Sequence, residues 1–329
     1  MRLYDSFIER DVPAIPAAVR EFRVDHSSDE LWQAVTRFAI LAYAPSQHSK
    51  HALFSCLAAW DLRDALGDRF DDVVTQCAIY TAASRQPWSE PPILEPPAVA
   101  AGAPRDRSEL RQAIAAGDRL RAERWLAARF ETSDFAADFF AVAADDFEDF
   151  GHKLIAAVTA FRLAGLLGEK GRFAALRVAI WEMAAYRGSD VGLSSSDCDP
   201  AALAARLIEQ MIAERGDLVA AHRLFLLDAA LQCEERDVLA KVCGSLQAEI
   251  GEIARPKGSS PRTAVAVGVT DHDELPVYRL ARDYGELLKS WAVAQRMAQR
   301  FPALETRAIA GAARDHLETA PSADEFTFA

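Results

Sequence analysis

The chain has 329 residues, half of them hydrophobic, so it can bury a large core, as two domains or as one extended repeat array, and disorder is not the default. Its 37 basic against 49 acidic residues leave a net charge of −12, which opposes binding to phosphate backbones through lysine and arginine and excludes nucleic acid as a partner. No apolar run approaches the roughly 18 residues of a membrane span, and Met1-Arg2-Leu3-Tyr4-Asp5 carries no hydrophobic signal core, so a cytoplasmic protein away from membranes is expected.

In chain order the elements read as helix nearly throughout, because alanine, leucine, arginine and glutamate abound and apolar residues recur at spacings of three and four. Asp29 to Ala44 is the first, with Leu31, Val35, Phe38, Ala39 and Ala42 on one stripe. His51 to Leu66 follows, ended by Gly67, and then Phe70 to Ser84. Residues 86–107 hold Pro87, Pro91, Pro92, Pro96, Pro97 and Pro104, which forbids helix and predicts an extended strap. Beyond it Ser108 is placed as a cap with Arg111 where a glutamate completes a capping box, and 108–116 and 119–130 form a hairpin turning at Gly117-Asp118. Helices follow over 134–147, 152–167 and 172–186, then a polar turn-rich stretch from Gly188 to Pro200. Pro200 starts a helix to Arg215, and 219–233 and 235–250 form another pair. Residues 254–275 read as a long loop. Helices over 276–300 and 303–319 complete the chain, with a frayed tail beyond Pro321. The fold expected is all-α: an irregular helical-repeat array of paired antiparallel helices. Its halves, 1–107 and 108–329, are joined by the Pro-rich strap and are free to pack as one continuous domain.

Cys56, Cys77, Cys198, Cys233 and Cys243 are odd in number, scattered and without a Cys-x-x-Cys pair, so they predict neither a disulfide framework nor a zinc knuckle. Most sit among apolar residues, where cysteine serves as a small hydrophobe.

A motif headed by histidine recurs. His51-Ala-Leu-Phe-Ser-Cys-Leu-Ala-Ala-Trp-Asp-Leu62 is matched 101 residues on by His152-Lys-Leu-Ile-Ala-Ala-Val-Thr-Ala-Phe-Arg-Leu163, and a shorter copy starts at His222. Repeats of this size mean stacked helical units sharing a core, so one histidine per unit can bring several imidazoles together. Each histidine lies near a helix start, one turn from a large apolar group: Phe54, Ile155 or Phe225. Buried imidazoles require partners, and a shared metal satisfies several at once; imidazole suits iron, zinc and copper. His48 precedes His51 by three residues, close enough to chelate with it. Asp145, Asp146, Glu148 and Asp149 crowd before His152 and read either as further ligands or as a charge complement to a helix start. A ferritin-like di-iron set needs two Glu-x-x-His pairs, which the sequence does not supply. Phosphate-binding glycine loops and nucleophile elbows are absent too. Trp60, Trp88, Trp125, Trp181 and Trp291 read as core or pocket wall, and Tyr80, Tyr186 and Tyr278 as core or as donors to a polar ligand.

The segment Ala143-Ala144-Asp145-Asp146-Phe147-Glu148-Asp149-Phe150-Gly151-His152-Lys153-Leu154-Ile155 resembles a stretch of the questin oxidase-like proteins, and a helical segment that accompanies some Rieske iron–sulfur proteins. Residues Ser49 to Gly67 are similar to that family's early histidine motif; His222 matches a later one and His272 a final one. The resemblance implies an oxygen-using oxidoreductase that opens rings of small aromatic, polyketide-like substrates, with His51, His152, His222 and His272 holding a non-haem iron. A carboxylated-lysine ligand is also implied, but Asp273, Glu274 and Leu275 after His272 offer no counterpart. No Rieske ligand set is present, so the module would stand alone, as a monomer or a homodimer. The rival expectation is a non-enzymatic helical-repeat scaffold that binds another protein on a concave face.

Overall fold

In a computed structural model, residues 2–41, 49–84, 106–185, 195–213, 218–253 and 276–302 are described, and their secondary structure is helical with no strand among them. In chain order the helices are α1 (Arg2–Glu9), α2 (Ile15–Asp25), α3 (Ser28–Leu41), α4 (Ser49–Asp61), α5 (Arg63–Leu66), α6 (Phe70–Ser84), α7 (Arg107–Ala116), α8 (Arg119–Arg129), α9 (Phe135–Ala143), α10 (Glu148–Leu167), α11 (Glu169–Ala185), α12 (Pro200–Ala213), α13 (Leu218–Cys233), α14 (Arg236–Ile253) and α15 (Pro276–Arg300). The all-α expectation is met. Most of the proline-rich strap, the loop over 254–275 and the helix expected over 303–319 lie outside the described residues.

The local chemistry at the boundaries is specific. Asp106 caps α7 by accepting from the Glu109 N–H, and the Glu109 side chain reaches back to the Asp106 N–H. The capping box is therefore complete, two residues earlier than the Ser108 start expected from sequence. Gly117 ends α7 in the left-handed region at φ 67°, and Asp118 caps α8. The chain before residue 28, where no helix was expected, forms α1 and α2. Leu3 and Phe7, one turn apart, are buried there, and the Phe7 ring stacks on Phe38 of α3 at 4.3 Å.

The cysteine reading requires a correction. Cys198, before α12, and Cys243 of α14 are joined in a disulfide across 45 residues, their Cα atoms 5.9 Å apart. Two intervening helices fold back to bring them together, which no spacing pattern announces. Cys56, Cys77 and Cys233 are free and buried, as expected.

Four helices position the site. α4 packs on α10, α10 on α13, α13 on α15, and α15 back on α4, so the four close a ring. They run parallel: His51 of α4 meets His152 of α10 at one end of the ring, and Asp61 meets Arg162 at the other. The remaining helices pack outside, α11 against α10 and α6 against α4 and α15. One hydrophobic cluster runs through residues of both halves of the chain. Among the described residues no helix is long and apolar enough to cross a membrane.

Candidate metal centre and adjoining cavity

The three histidines expected from the repeat converge. Each lies in the first turn or two of its helix, and because the helices are parallel and side by side, equivalent positions face one another across the ring. The ring centroids are 5.2 Å apart for His51 and His152, 5.0 Å for His152 and His222, and 6.0 Å for His51 and His222. One nitrogen from each lies within 4.8 Å of the others, and all three residues are buried. His272 and His48 lie outside the described residues.

Gly151 explains how α10 delivers His152. Its φ is +78°, and a Cβ there would stand 2.6 Å from the Leu226 Cδ1 of α13. The Gly-His pair is thus a backbone requirement: the first turn of α10 bends where it passes α13, with the imidazole on the next residue.

The surroundings of the imidazoles combine cations with aromatic rings. Lys289 of α15 is buried, its Nζ 2.7 Å from the His51 Nδ1 and over the rings of Phe54 and Phe225 at 5.8 and 5.6 Å. That hydrogen bond has two forms. An ammonium donates to a bare Nδ1, or a protonated Nδ1 donates to an uncharged amine; only the second leaves the His51 Nε2 lone pair for a metal. Lys50, beside His51, donates to Glu182 of α11 at 2.9 Å with both side chains buried. Lys153, beside His152, donates to Asp146 at 2.6 Å, and Asp145 pairs with Arg111 and Lys241. Two of the four acidic residues before His152 are thus engaged by cations; the side chains of Glu148 and Asp149 lie outside the described residues.

A cavity with about 50 Å³ of interior space adjoins the histidines inside the ring. Lys289, Phe54 and Phe225 line it, together with Ile155, Val158 and Val293. The imidazoles themselves do not; Lys289 and the two phenylalanines, which touch them, stand at the boundary. At the other end lies an ion network that sequence analysis missed. Arg162 donates to Asp61 with both terminal nitrogens, one at 2.8 Å. Arg296 donates to Asp61 and also to Asp228, at 2.9 Å from its Nε, and Gln232 donates to Asp228 at 2.8 Å. Burial disfavours charge on Arg296, but Asp228 and Asp61 outweigh it and hold the guanidinium more firmly protonated than usual.

Lys289 was equally missed, since α15 carries no histidine and resembles the other three helices only in register: Lys289, Ala292 and Arg296 follow the spacing of His51, Phe54 and Ala58. The ion network did leave a signal, opposite charges at the matched positions Asp61 and Arg162. Tyr80 and Trp125 are core; Trp181 is partly buried, its indole N–H donating to Glu123. Trp60 tilts against Trp32 away from the cavity, and Trp291 is also buried outside its lining. Trp88, Tyr186 and the Tyr278 side chain lie outside the described residues.

No family model matches the chain, nor does any curated protein or solved structure. The donor set itself fits a transition metal. Nitrogens about 2.1 Å from one ion lie at most about 4.2 Å apart, so a trio already within 4.8 Å needs only a small contraction. Three converging imidazoles are donors that iron, zinc and copper take.

Proposed function

We propose that the chain is an oxidoreductase of the questin oxidase-like type, in which His51, His152 and His222 hold a non-haem iron and a small aromatic, polyketide-like substrate is oxygenated or ring-opened beside them. The observation that carries this reading is the convergence of three buried imidazoles from three separate helices, 70 to 171 residues apart in sequence (152 to 222, 51 to 222). Iron held there supplies redox chemistry and a place to activate dioxygen. The chain's own contribution is to fix the donors on rigid helices, keep water out with Phe54 and Phe225, and leave an apolar space beside them.

In this reading Lys289 is the lysine that the resemblance implies. It comes from α15, fourteen residues beyond Leu275, and not from the residues just after His272. Carboxylated by carbon dioxide with release of a proton, it would end in an anionic oxygen that accepts from the His51 Nδ1–H and leaves the His51 Nε2 lone pair for the metal.

Iron content tests the proposal. The protein purified from iron-supplemented growth is expected to hold about one equivalent, lost in H152A and H222A while helicity is retained, and reconstitution of the apoprotein is expected to be faster with bicarbonate present. A protein free of iron, zinc and manganese, whose H51A/H152A/H222A variant folds as wild type, would instead support the helical-repeat scaffold.

A further inference from the structure

Resting on the reading of this cavity as a substrate pocket, we propose that Arg162 and Arg296 form an anion-binding subsite at its far end, which takes the carboxylate of an aromatic acid. The apolar body of that acid lies against Phe54, Ile155 and Phe225, toward the histidines.

Three observations carry the proposal. First, the cavity is graded in polarity: Lys289 at one end, apolar side chains in the middle, and charges at the other end. Arg296 follows Lys289 by seven residues, so the two ends are roughly 10 Å apart along the helix. A ligand polar at one end and apolar over the rest matches that grading. Second, the charges are ordered by accessibility. The Arg162 and Arg296 side chains keep 28% and 24% of their surface open, against 8% and 7% for Asp61 and Asp228. A molecule arriving from solvent meets guanidinium before carboxylate. Third, Arg162 already grips a carboxylate with its fork, the geometry in which arginine recognises an acid. Asp61 occupies the place that the ligand's acid group takes.

The size of the cavity links these points. About 50 Å³ holds a few waters, whereas ligand pockets span roughly 300 to 1,000 Å³. Separating Asp61 from Arg162 enlarges the space and frees the fork in one movement. The network holds two cations and two anions, so an incoming carboxylate exchanges with Asp61 for its arginines.

The test uses 2-naphthoate and its neutral analogue 2-naphthylmethanol as probes, with binding followed by calorimetry on the full chain. Wild type is expected to bind naphthoate at least tenfold more tightly than the alcohol. D61N, which removes the competing charge but keeps a hydrogen-bonding side chain, is expected to strengthen naphthoate binding about tenfold and leave the alcohol unchanged. R162K, which keeps the charge but not the fork, is expected to lose most of that preference. Equal affinity for the two probes, no naphthoate binding at millimolar concentration, or a D61N protein that binds naphthoate no better than wild type overturns the subsite. Iron content separates this from the parent reading: naphthoate selectivity in a protein that takes up no metal leaves the subsite and removes the oxidoreductase.

Discussion

Asp61 and Arg162 stand at the same place in the two histidine-headed motifs, 101 residues apart, and they are ion-paired, with the Arg162 Nη1 2.8 Å from the Asp61 Oδ2. The offset that puts His51 against His152 at one end of the ring puts these two opposite charges together at the other. Arg296 is the more connected cation, since it serves both Asp61 and Asp228. Among the described residues, R162L leaves Asp61 one arginine, whereas R296L leaves Asp228 with the Gln232 amide alone. Denaturant titration is expected to show R296L destabilised by about 3 kcal/mol or more and R162L by about half as much. Equal losses would mean that the two arginines are interchangeable.

Gly151→Ala is expected to cost about 1–3 kcal/mol, because the residue must hold a positive φ and its new methyl meets the Leu226 side chain. The same substitution is expected to displace His152, so under the proposed function iron content should fall further than the stability loss accounts for. G168A supplies the control: it also replaces a glycine of positive φ, but the added Cβ meets nothing within 4 Å. Metal lost equally from both variants would detach Gly151 from the site.

The cysteines make a counting experiment. Burial pushes the Cys233 thiol up to about 12, with the Glu235 charge adding to it, and the hydrogen bond with Cys56 followed by burial raises Cys77 well above the usual thiol range. The native protein is expected to react with a thiol reagent at essentially none of its cysteines at pH 8, and the denatured, unreduced protein at three. Five reactive thiols on denaturation would show Cys198 and Cys243 unjoined. C198A is expected to lower stability by about 2–4 kcal/mol.

Asp106 gives a pH-dependent prediction. The Ser108 hydroxyl first, and then the Glu109 N–H, hold its carboxyl below the ordinary 3.8. A depressed carboxyl stabilises the folded chain above its unfolded value, and that contribution is lost as pH falls through the lowered one. D106A is therefore expected to melt below wild type at pH 6, with the gap closing as pH drops under about 3.8. A gap that is constant down to pH 2 would place the effect elsewhere than in this cap.

Much of this was legible in the sequence, for identifiable reasons. The helices were readable because their apolar residues recur at three and four, and the histidines because a long repeat carries its positions into space. His51, His152 and His222 meet because register is conserved between parallel neighbours. Lys289 was hidden because α15 shares that register without sharing a residue type. The Cys198–Cys243 bond was hidden because only the packing of α12 and α13 brings its ends together. α1 and α2 were overlooked because their apolar faces rest on two or three residues each, Leu3 and Phe7 in the first and Ile15, Ala18 and Val19 in the second.

The closing of the ring by α15 has a consequence for synthesis. Translation supplies the three imidazoles by residue 222, yet the wall that carries Lys289 and Arg296 emerges only with the last described helix. A nascent chain halted before residue 276 exposes the apolar faces of α4 and α13 that α15 covers, and Asp61 and Asp228 wait there without Arg296. Ribosome-bound intermediates of this protein should thus be recognised by chaperones until α15 docks, and close the wall around the three imidazoles only afterwards.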